Sequence, residues 1–349
     1  MAPVRNARAI FNAIPAPNAF PEPGKTTVYD DSQTIDPDTV PLNGGFLVKT
    51  LVLSIDPFMR GRMRDPSIKS YAPPFFVGQP LNNYAVARVL RSEHPAIKAG
   101  DHVYGHLPFQ EYVVLSDPAE LGRDIFRVLE NKEGLPWSAY LGVCGMPGQT
   151  AHHAWNEYSH AKPGETVFVT AAAGPVGATV VQLAKAEGLK VIASAGSDEK
   201  VAFVKSLGAD VAFNYKTNDT KAMLEREGGI DIYWDNVGGP TLDAALGAAH
   251  RHARFIECGM ISAYNSEPYM LKNVQLIVTR EFKLSGFIVL SLHNKYLGRF
   301  YDEIPQMVAS GQIKYTEDRS LGLEAAGEAI VSVQKGTNTG KKVMVVSDD

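Results

Sequence analysis

The chain has 349 residues, with 34 Lys and Arg against 38 Asp and Glu, a net charge of −4, 45% hydrophobic and 21% charged residues. That length is too great for one average domain and comfortable for two, and the fractions are those of a globular protein. An acidic balance without a basic run excludes a nucleic-acid surface. The two cysteines, Cys144 and Cys258, offer neither a disulfide framework nor a zinc cluster, which fits a reducing compartment.

The first twenty residues hold no unbroken apolar core, and no run approaches the ~18 apolar residues of a membrane span. A soluble cytoplasmic protein is therefore expected. Residues 1–130 read as β-rich. The runs 45–53 (GFLVKTLVL), 84–90 (YAVARVL), 102–105 and 110–115 (QEYVVL) are short, β-branched or alternating, and bounded by turn formers. Lys98-Ala99-Gly100-Asp101 reads as a tight turn, and the proline-rich stretches at 14–23 and at Pro73 and Pro74 as loops.

From about Leu135 the period changes. Apolar runs at 166–170, 191–193, 211–215, 230–235, 254–258 and 283–289 alternate with helical stretches. That alternation predicts a parallel sheet with helices on both faces. After a helix at 296–310 come a polar strand, a helix at 323–334 and a strand at 342–346. This tail is expected to return to the β-rich part. The fold class is α/β, with domains at 1–130, 131–314 and 315–349.

The stretch 166–206 carries the strongest functional signal. An apolar run (167–170) meets the turn Ala171-Ala172-Ala173-Gly174-Pro175-Val176-Gly177, then an amphipathic helix, then a second apolar run (191–193). Such a turn aims backbone N–H groups at the helix N-terminus, where the dipole also favours an anion. Gly174 lets the backbone approach a diphosphate and Gly177 lets helix pack on strand. Ala171 stands where the usual fingerprint has its first Gly. A βαβ unit of this kind predicts a dinucleotide. A ligand-free Gly-rich turn is the bland alternative.

The tip of the second strand chooses between nicotinamide cofactors. NAD sites usually carry an acid there for the ribose 2′-hydroxyl. Here the sequence runs Ala193-Ser194-Ala195-Gly196-Ser197, with Lys200 one turn later and Tyr215 ending the next strand. A lysine and a phenol suit a 2′-phosphate, so NADPH is expected. Asp198 is the contrary residue. Its local reading is an acid in the first turn of a helix capped by Ser197.

The blocks LSIDPFMRGRM (53–63), LGVCGMPGQTAHH (141–153), AAAGPVGATVVQLAK (171–185), AGSDEKV (195–201), FNYKT (213–217), DNVGG (235–239), CGMISAYN (258–265), GFIV (286–289) and TNTGKKV (337–343) carry a family resemblance along nearly the whole chain. It resembles the zinc-independent branch of the medium-chain dehydrogenase/reductase superfamily. Within that branch it is similar to the NADPH-dependent alkenal/one double-bond reductases, which include the prostaglandin reductases.

The resemblance implies a GroES-like substrate domain and a Rossmann cofactor domain, usually in a homodimer. It implies cofactor contacts at Met146, Gly174, Pro175, Val176, Gly177, Lys200, Tyr215 and Asn236. Cys258, Gly259, Met260, Ile261, Ser262 and Tyr264 would wall the nicotinamide ribose. Phe287, Ile288 and Val289 would line the nicotinamide, with Asn338 reaching in from the tail. Phe58, Met59, Tyr71 and Tyr264 are the candidate substrate contacts, and with Phe75, Phe76 and Tyr269 they suit a small apolar α,β-unsaturated carbonyl. Plain packing is the alternative for those aromatics.

Hydride would reach the β-carbon, and Tyr264 is the candidate catalytic donor to the enolate. No metal is expected. His106 lacks a Cys or Glu partner nearby in the sequence, and His152 and His153 would point about 100° apart on a helix. Three residues depart from the family pattern: Phe58 for Tyr, Gln149 for Leu, and Thr279 where a tyrosine is sometimes implicated. A quinone reductase of the same superfamily is the runner-up. A non-catalytic NADPH sensor and allylic-alcohol oxidation are the remaining alternatives.

Overall fold

The β-branched runs of the chain's first third pair through short turns, and the C-terminal strand adds to the same sheet. The computed structural model describes residues 3–122 and 125–349. It divides into two units, Met1–Gly142 with Glu317–Asp349, and Val143–Thr316.

In the first unit the sheet order is Glu317–Leu321, Lys341–Val345, Phe46–Ser54, Asn82–Ser92, His102–Pro108, Arg127–Val128, with Tyr112–Leu115 also on Phe46–Ser54. The first pair in that order is parallel and the other pairings are antiparallel. Phe11, Phe46, Val48, Met59, Phe75 and Phe109 fill its core, with Ile330 and Val333 of the helix Ala326–Lys335 packed into the same cluster. The turn at 98–101 closes as expected, with the Asp101 N–H donating to the Lys98 carbonyl at 3.1 Å. Residues 131–142 were expected in the second domain but belong to this unit. Trp137 stacks on His102 with ring centroids 3.9 Å apart, and its Nε1 donates to Asp349 at 2.9 Å. Those aromatic contacts outweigh the change in sequence period.

The second unit is a six-stranded sheet ordered Val211–Asn214, Lys190–Ala195, Thr166–Val169, Ile230–Asp235, Ala249–Glu257, Lys283–Gly286. Every pair is parallel. Numbered along the chain, that order is 3-2-1-4-5-6, the doubly wound Rossmann arrangement. The strands are apolar on both sides because both sides are covered. Val167, Val169, Trp234 and Ile256 face one buried cluster, and Phe168, Tyr233 and Phe255 the other. The run at 283–289 was expected as one strand. It ends at Gly286, and Val289–Leu292 turns into a 3-10 helix. Among the described residues, no helix is long and apolar enough to cross a membrane.

Candidate active site

Strand order reverses between Thr166–Val169 and Ile230–Asp235, so the ligand crevice of such a sheet lies beyond their carboxyl ends. The 171–177 turn stands at that edge. Gly174 is the N-cap of the helix Pro175–Ala186 and no side chain caps it. Pro175 has no N–H, and the N–H groups of Val176 and Gly177 lie in the first turn, where no intrahelical partner exists. A Cβ at Gly177 would come within 2.7 Å of both the Ala171 carbonyl and the Ala172 Cα. Gly177 is thus the point of contact between helix and turn. Ala171, where Gly is usual, takes φ = 46°, a left-handed conformation that costs an L-residue about 1–2 kcal/mol.

Three helices of this unit begin at a glycine N-cap. Gly145 before Met146, Gly174 before Pro175 and Gly238 before Gly239 all lack a side-chain cap. The helices begun after Ser197 and Asp219 are capped by those side chains in the ordinary way. A helix N-terminus left to its backbone donors is one that can receive an anion. Gly148 is needed for a different reason, since a Cβ there would fall 1.8 Å from the Val143 carbonyl oxygen.

At the tip of the second strand, Tyr215 lies over Gly196. A Cβ on Gly196 would meet the Tyr215 ring and hydroxyl at 3.3 Å. Lys200 is half-buried on the helix Asp198–Ser206, and the Ser197 hydroxyl accepts its backbone N–H at 3.3 Å. Asp198 accepts from the Asn214 amide at 3.0 Å, so the contrary acid is already engaged by a side chain of the neighbouring strand. The sequence reading missed Lys216. Its Cε passes 3.5 Å from the same Gly196 position, and only the turn after Tyr215 brings it there. A lysine pair and a phenol at this tip fit a 2′-phosphate.

Asn236 is committed to the fold more than expected. Its Nδ2 donates to the Thr170 carbonyl at 2.6 Å, and its Oδ1 accepts from Trp234 Nε1 at 3.3 Å. One N–H and one lone pair remain for a ligand. The loops after the fourth and fifth strands are tied together. Cys258 and Gly259 N–H groups donate to the Asp235 carbonyl at 2.9 and 3.0 Å, and Ser262 N–H to the Val237 carbonyl at 3.1 Å. Met260 is exposed, and Ile261 is half-buried. The Tyr264 hydroxyl stands 3.7 Å from where a Cβ on Gly259 would be. Burial, then Asp235 and Glu257, push the Cys258 thiol up to about 12, so it is not a thiolate nucleophile.

Phe287 is half-buried, its ring 5.9 Å from Tyr158 and 6.1 Å from Trp234. Ile288 is exposed and Val289 is buried. In the first unit, Phe58 is half-buried at the start of the short helix Met59–Arg62 and Tyr71 is exposed. Met59 has no exposed surface and belongs to the core cluster, so it packs rather than offering a ligand contact. Asn338 donates to the Gly340 carbonyl at 2.9 Å, which stiffens its own turn.

One histidine expectation needs correction. His152 and His153 do not diverge; their Nδ1 atoms approach to 3.1 Å. Packing against Tyr296 and Phe300 turns the rings together. Burial pushes their pKa values down to about 4 and about 3, so one neutral ring donates to the other. The departure at Gln149 is internal too, since its amide donates to the Tyr301 hydroxyl at 3.1 Å. Among the described residues no group of three or more His, Cys, Asp or Glu side chains is placed to hold a metal ion.

Two family models match the chain: "Zinc-binding dehydrogenase" over residues 175–308 and "N-terminal domain of oxidoreductase" over 27–122. The chain is 42% identical over 306 residues to the NADP(+)-dependent 2-alkenal reductase of Nicotiana tabacum, covering 86% of this chain and 87% of that one. It is 38% identical over 314 residues to (+)-pulegone reductase of Mentha piperita, covering 87% and 89%. The crystal structure of CurA from Vibrio vulnificus in complex with NADPH matches at a TM-score of 0.87 and 31% identity, over 98% of this chain and all 100% of that one. The chain belongs to the medium-chain dehydrogenase/reductase superfamily, in its branch of NADP-dependent alkenal and enone reductases.

Proposed function

We propose that this protein reduces the carbon–carbon double bond of small, apolar α,β-unsaturated aldehydes and ketones with NADPH and without a metal. The observation that carries the reading is the carboxyl edge of the sheet: the glycine N-caps Gly174 and Gly238, and a strand tip where Tyr215 and Lys216 lie over Gly196 with Lys200 on the helix that follows. When bound there, the cofactor supplies a hydride for the β-carbon. The protein's task is then to hold the alkene in place and to stabilise the charge that grows on the carbonyl oxygen as an enolate. Fixed hydrogen-bond donors serve that purpose, and most of the rate comes from positioning.

Tyr264 is the proposed catalytic donor to that oxygen. It sits on a loop held by backbone hydrogen bonds, so its phenol is pre-placed. The α-carbon proton comes from Tyr264 or from water. Phe58 and Tyr71 are the proposed apolar contacts for the substrate, and Asn236, Cys258, Gly259, Met260, Ile261, Ser262, Phe287, Ile288, Val289, Met146 and Asn338 the proposed cofactor contacts.

The test is consumption of NADPH and of NADH with four acceptor classes: a 2-alkenal, an aryl enone, a quinone and an allylic alcohol run in reverse. Loss of the alkene with NADPH and little rate with NADH is expected. Lys200→Ala should weaken NADPH binding roughly ten- to a hundredfold, the worth of a charge-assisted phosphate contact of about 1.5–3 kcal/mol, and leave NADH binding as it was. A response to the quinone alone overturns the alkene reading in favour of a quinone reductase. NADPH binding with no turnover on any acceptor leaves a sensor.

We also propose a homodimer. The strand Lys283–Gly286 is the edge of its sheet, and it exposes Leu284, while the segments before and after it expose Val278 and Ile288. An unprotected apolar edge pairs readily with another strand. Sedimentation at the mass of one chain would refute this.

A further inference from the structure

The fourth and fifth strands of the Rossmann sheet end on a pair of acids. Asp235 and Glu257 are register partners across parallel strands, so their side chains leave the sheet on one face. That is the face of Tyr233 and Phe255 in the buried cluster. Asp235 is fully buried. Its Oδ1 accepts from the Tyr233 hydroxyl at 2.9 Å and from the Val237 and Gly238 N–H groups at 2.8 Å each. Its Oδ2 and both carboxyl oxygens of Glu257 are shut off from solvent and receive no hydrogen from any donor among the described residues.

Two ionised carboxylates do not endure in that arrangement. Each buried acceptor without a donor costs free energy, and adjacent like charges add to the cost. A single proton on Glu257, donated to Asp235 Oδ2, removes both penalties. The surroundings agree. Burial, and then the charge of Asp235, raise the Glu257 pKa to about 8, and burial also raises that of Asp235. The groups facing the pair are Tyr233, Cys258 and the Thr170 hydroxyl, which lies 3.4 Å from Asp235 Oδ1. Burial holds Tyr233 and Cys258 protonated. No lysine, arginine or histidine among the described residues acts on Glu257.

We propose that Glu257 is a neutral acid whose proton bridges to Asp235, and that this bridge is the positioning device for the two loops that wall the cofactor. Asp235 is the root of both. Its Oδ1 gathers the backbone of 237–238, and its carbonyl holds Cys258 and Gly259. A second charge at Glu257 would push the strand ends apart directly beneath them. The inference rests on reading those loops as cofactor contacts, and the residue acts through them rather than on the reacting atoms.

Three readings test it. The wild-type protein should show the infrared carbonyl band of a buried protonated carboxylic acid at pH 7, lost on titration through about pH 8 and missing in Glu257→Gln. The folded state keeps a proton that the unfolded chain releases near pH 4.5, so stability falls as pH rises from about 5 to 8 and then levels. The thermal midpoint of E257Q should lack that fall, because its amide still donates to Asp235 but does not titrate. NADPH affinity, read by fluorescence, should drop severalfold between pH 7 and 9 in the wild type and stay flat in E257Q. No acid band at pH 7, or identical pH profiles for both proteins, overturns the proposal. If the wild type fails to bind NADPH at pH 7, the cofactor reading falls, while the band and the thermal profile still decide the shared proton.

Discussion

Asp56→Ala is expected to lower the stability of the first unit by about 3–5 kcal/mol, the usual cost of leaving one member of a buried ion pair alone. Lys341 and Asp56 are both almost completely buried, with Nζ 2.7 Å from Oδ1. The same ammonium donates to the Ile55 carbonyl at 2.7 Å. The other carboxyl oxygen of Asp56 accepts from Asn83 Nδ2 at 2.9 Å and from the Ser54 hydroxyl. The alanine variant leaves a buried ammonium with one carbonyl and strands two donors. Burial already pushes the Lys341 pKa down, so part of the cost is met by loss of its proton. Chemical denaturation checks this, and a loss under about 1 kcal/mol would mean that solvent reaches Lys341. Replacing both partners by Leu and Met should recover part of the loss. Full recovery is not expected, because Ser54 and Asn83 keep their orphaned donors. The pair joins the C-terminal strand to Phe46–Ser54, and it lies two residues from Phe58. A change here also disturbs a proposed substrate contact.

The alternation of buried runs with helical stretches from residue 166 onward was enough to read the Rossmann sheet, since strands covered on both faces are simply apolar. The strand tip was legible for the same reason: Gly196, Lys200 and Tyr215 each carry a property visible in isolation. What was not legible depended on side chains meeting across elements. Trp137 falls with the second domain by sequence period until His102 and Asp349 are beside it. Helical spacing sets His152 and His153 apart, yet a facing helix turns the rings together. Asn236 looks like a loop amide free for a ligand, but Thr170, far away in sequence, takes one of its amide hydrogens and Trp234 one of its lone pairs. Glu257 is the clearest case. A lone acid at the end of an apolar strand reads as a solvated tip. Only the register with Asp235 shows that its carboxyl oxygens are buried with no donor.

Tyr264→Phe should lower turnover by about tenfold or more, since a single fixed donor to a developing oxyanion contributes on the order of 2–4 kcal/mol. The expected size follows from what the rest of the chain does not offer. The family tyrosine sometimes placed eight residues before the GFIV phenylalanine is Thr279 here. Its hydroxyl turns back to the Gln275 carbonyl at 3.5 Å from the end of the short helix Leu276–Thr279. Phe58 likewise carries no hydroxyl. With two phenols of the family pattern gone, the load on Tyr264 should be greater than where either is present. Single-turnover kinetics distinguish the possibilities. If kcat and kcat/KM fall together while NADPH affinity holds, the phenol acts in the transition state. If KM rises alone, Tyr264 only binds substrate. Unchanged turnover would remove it as the donor and leave the cofactor's ribose hydroxyl or water to serve the enolate.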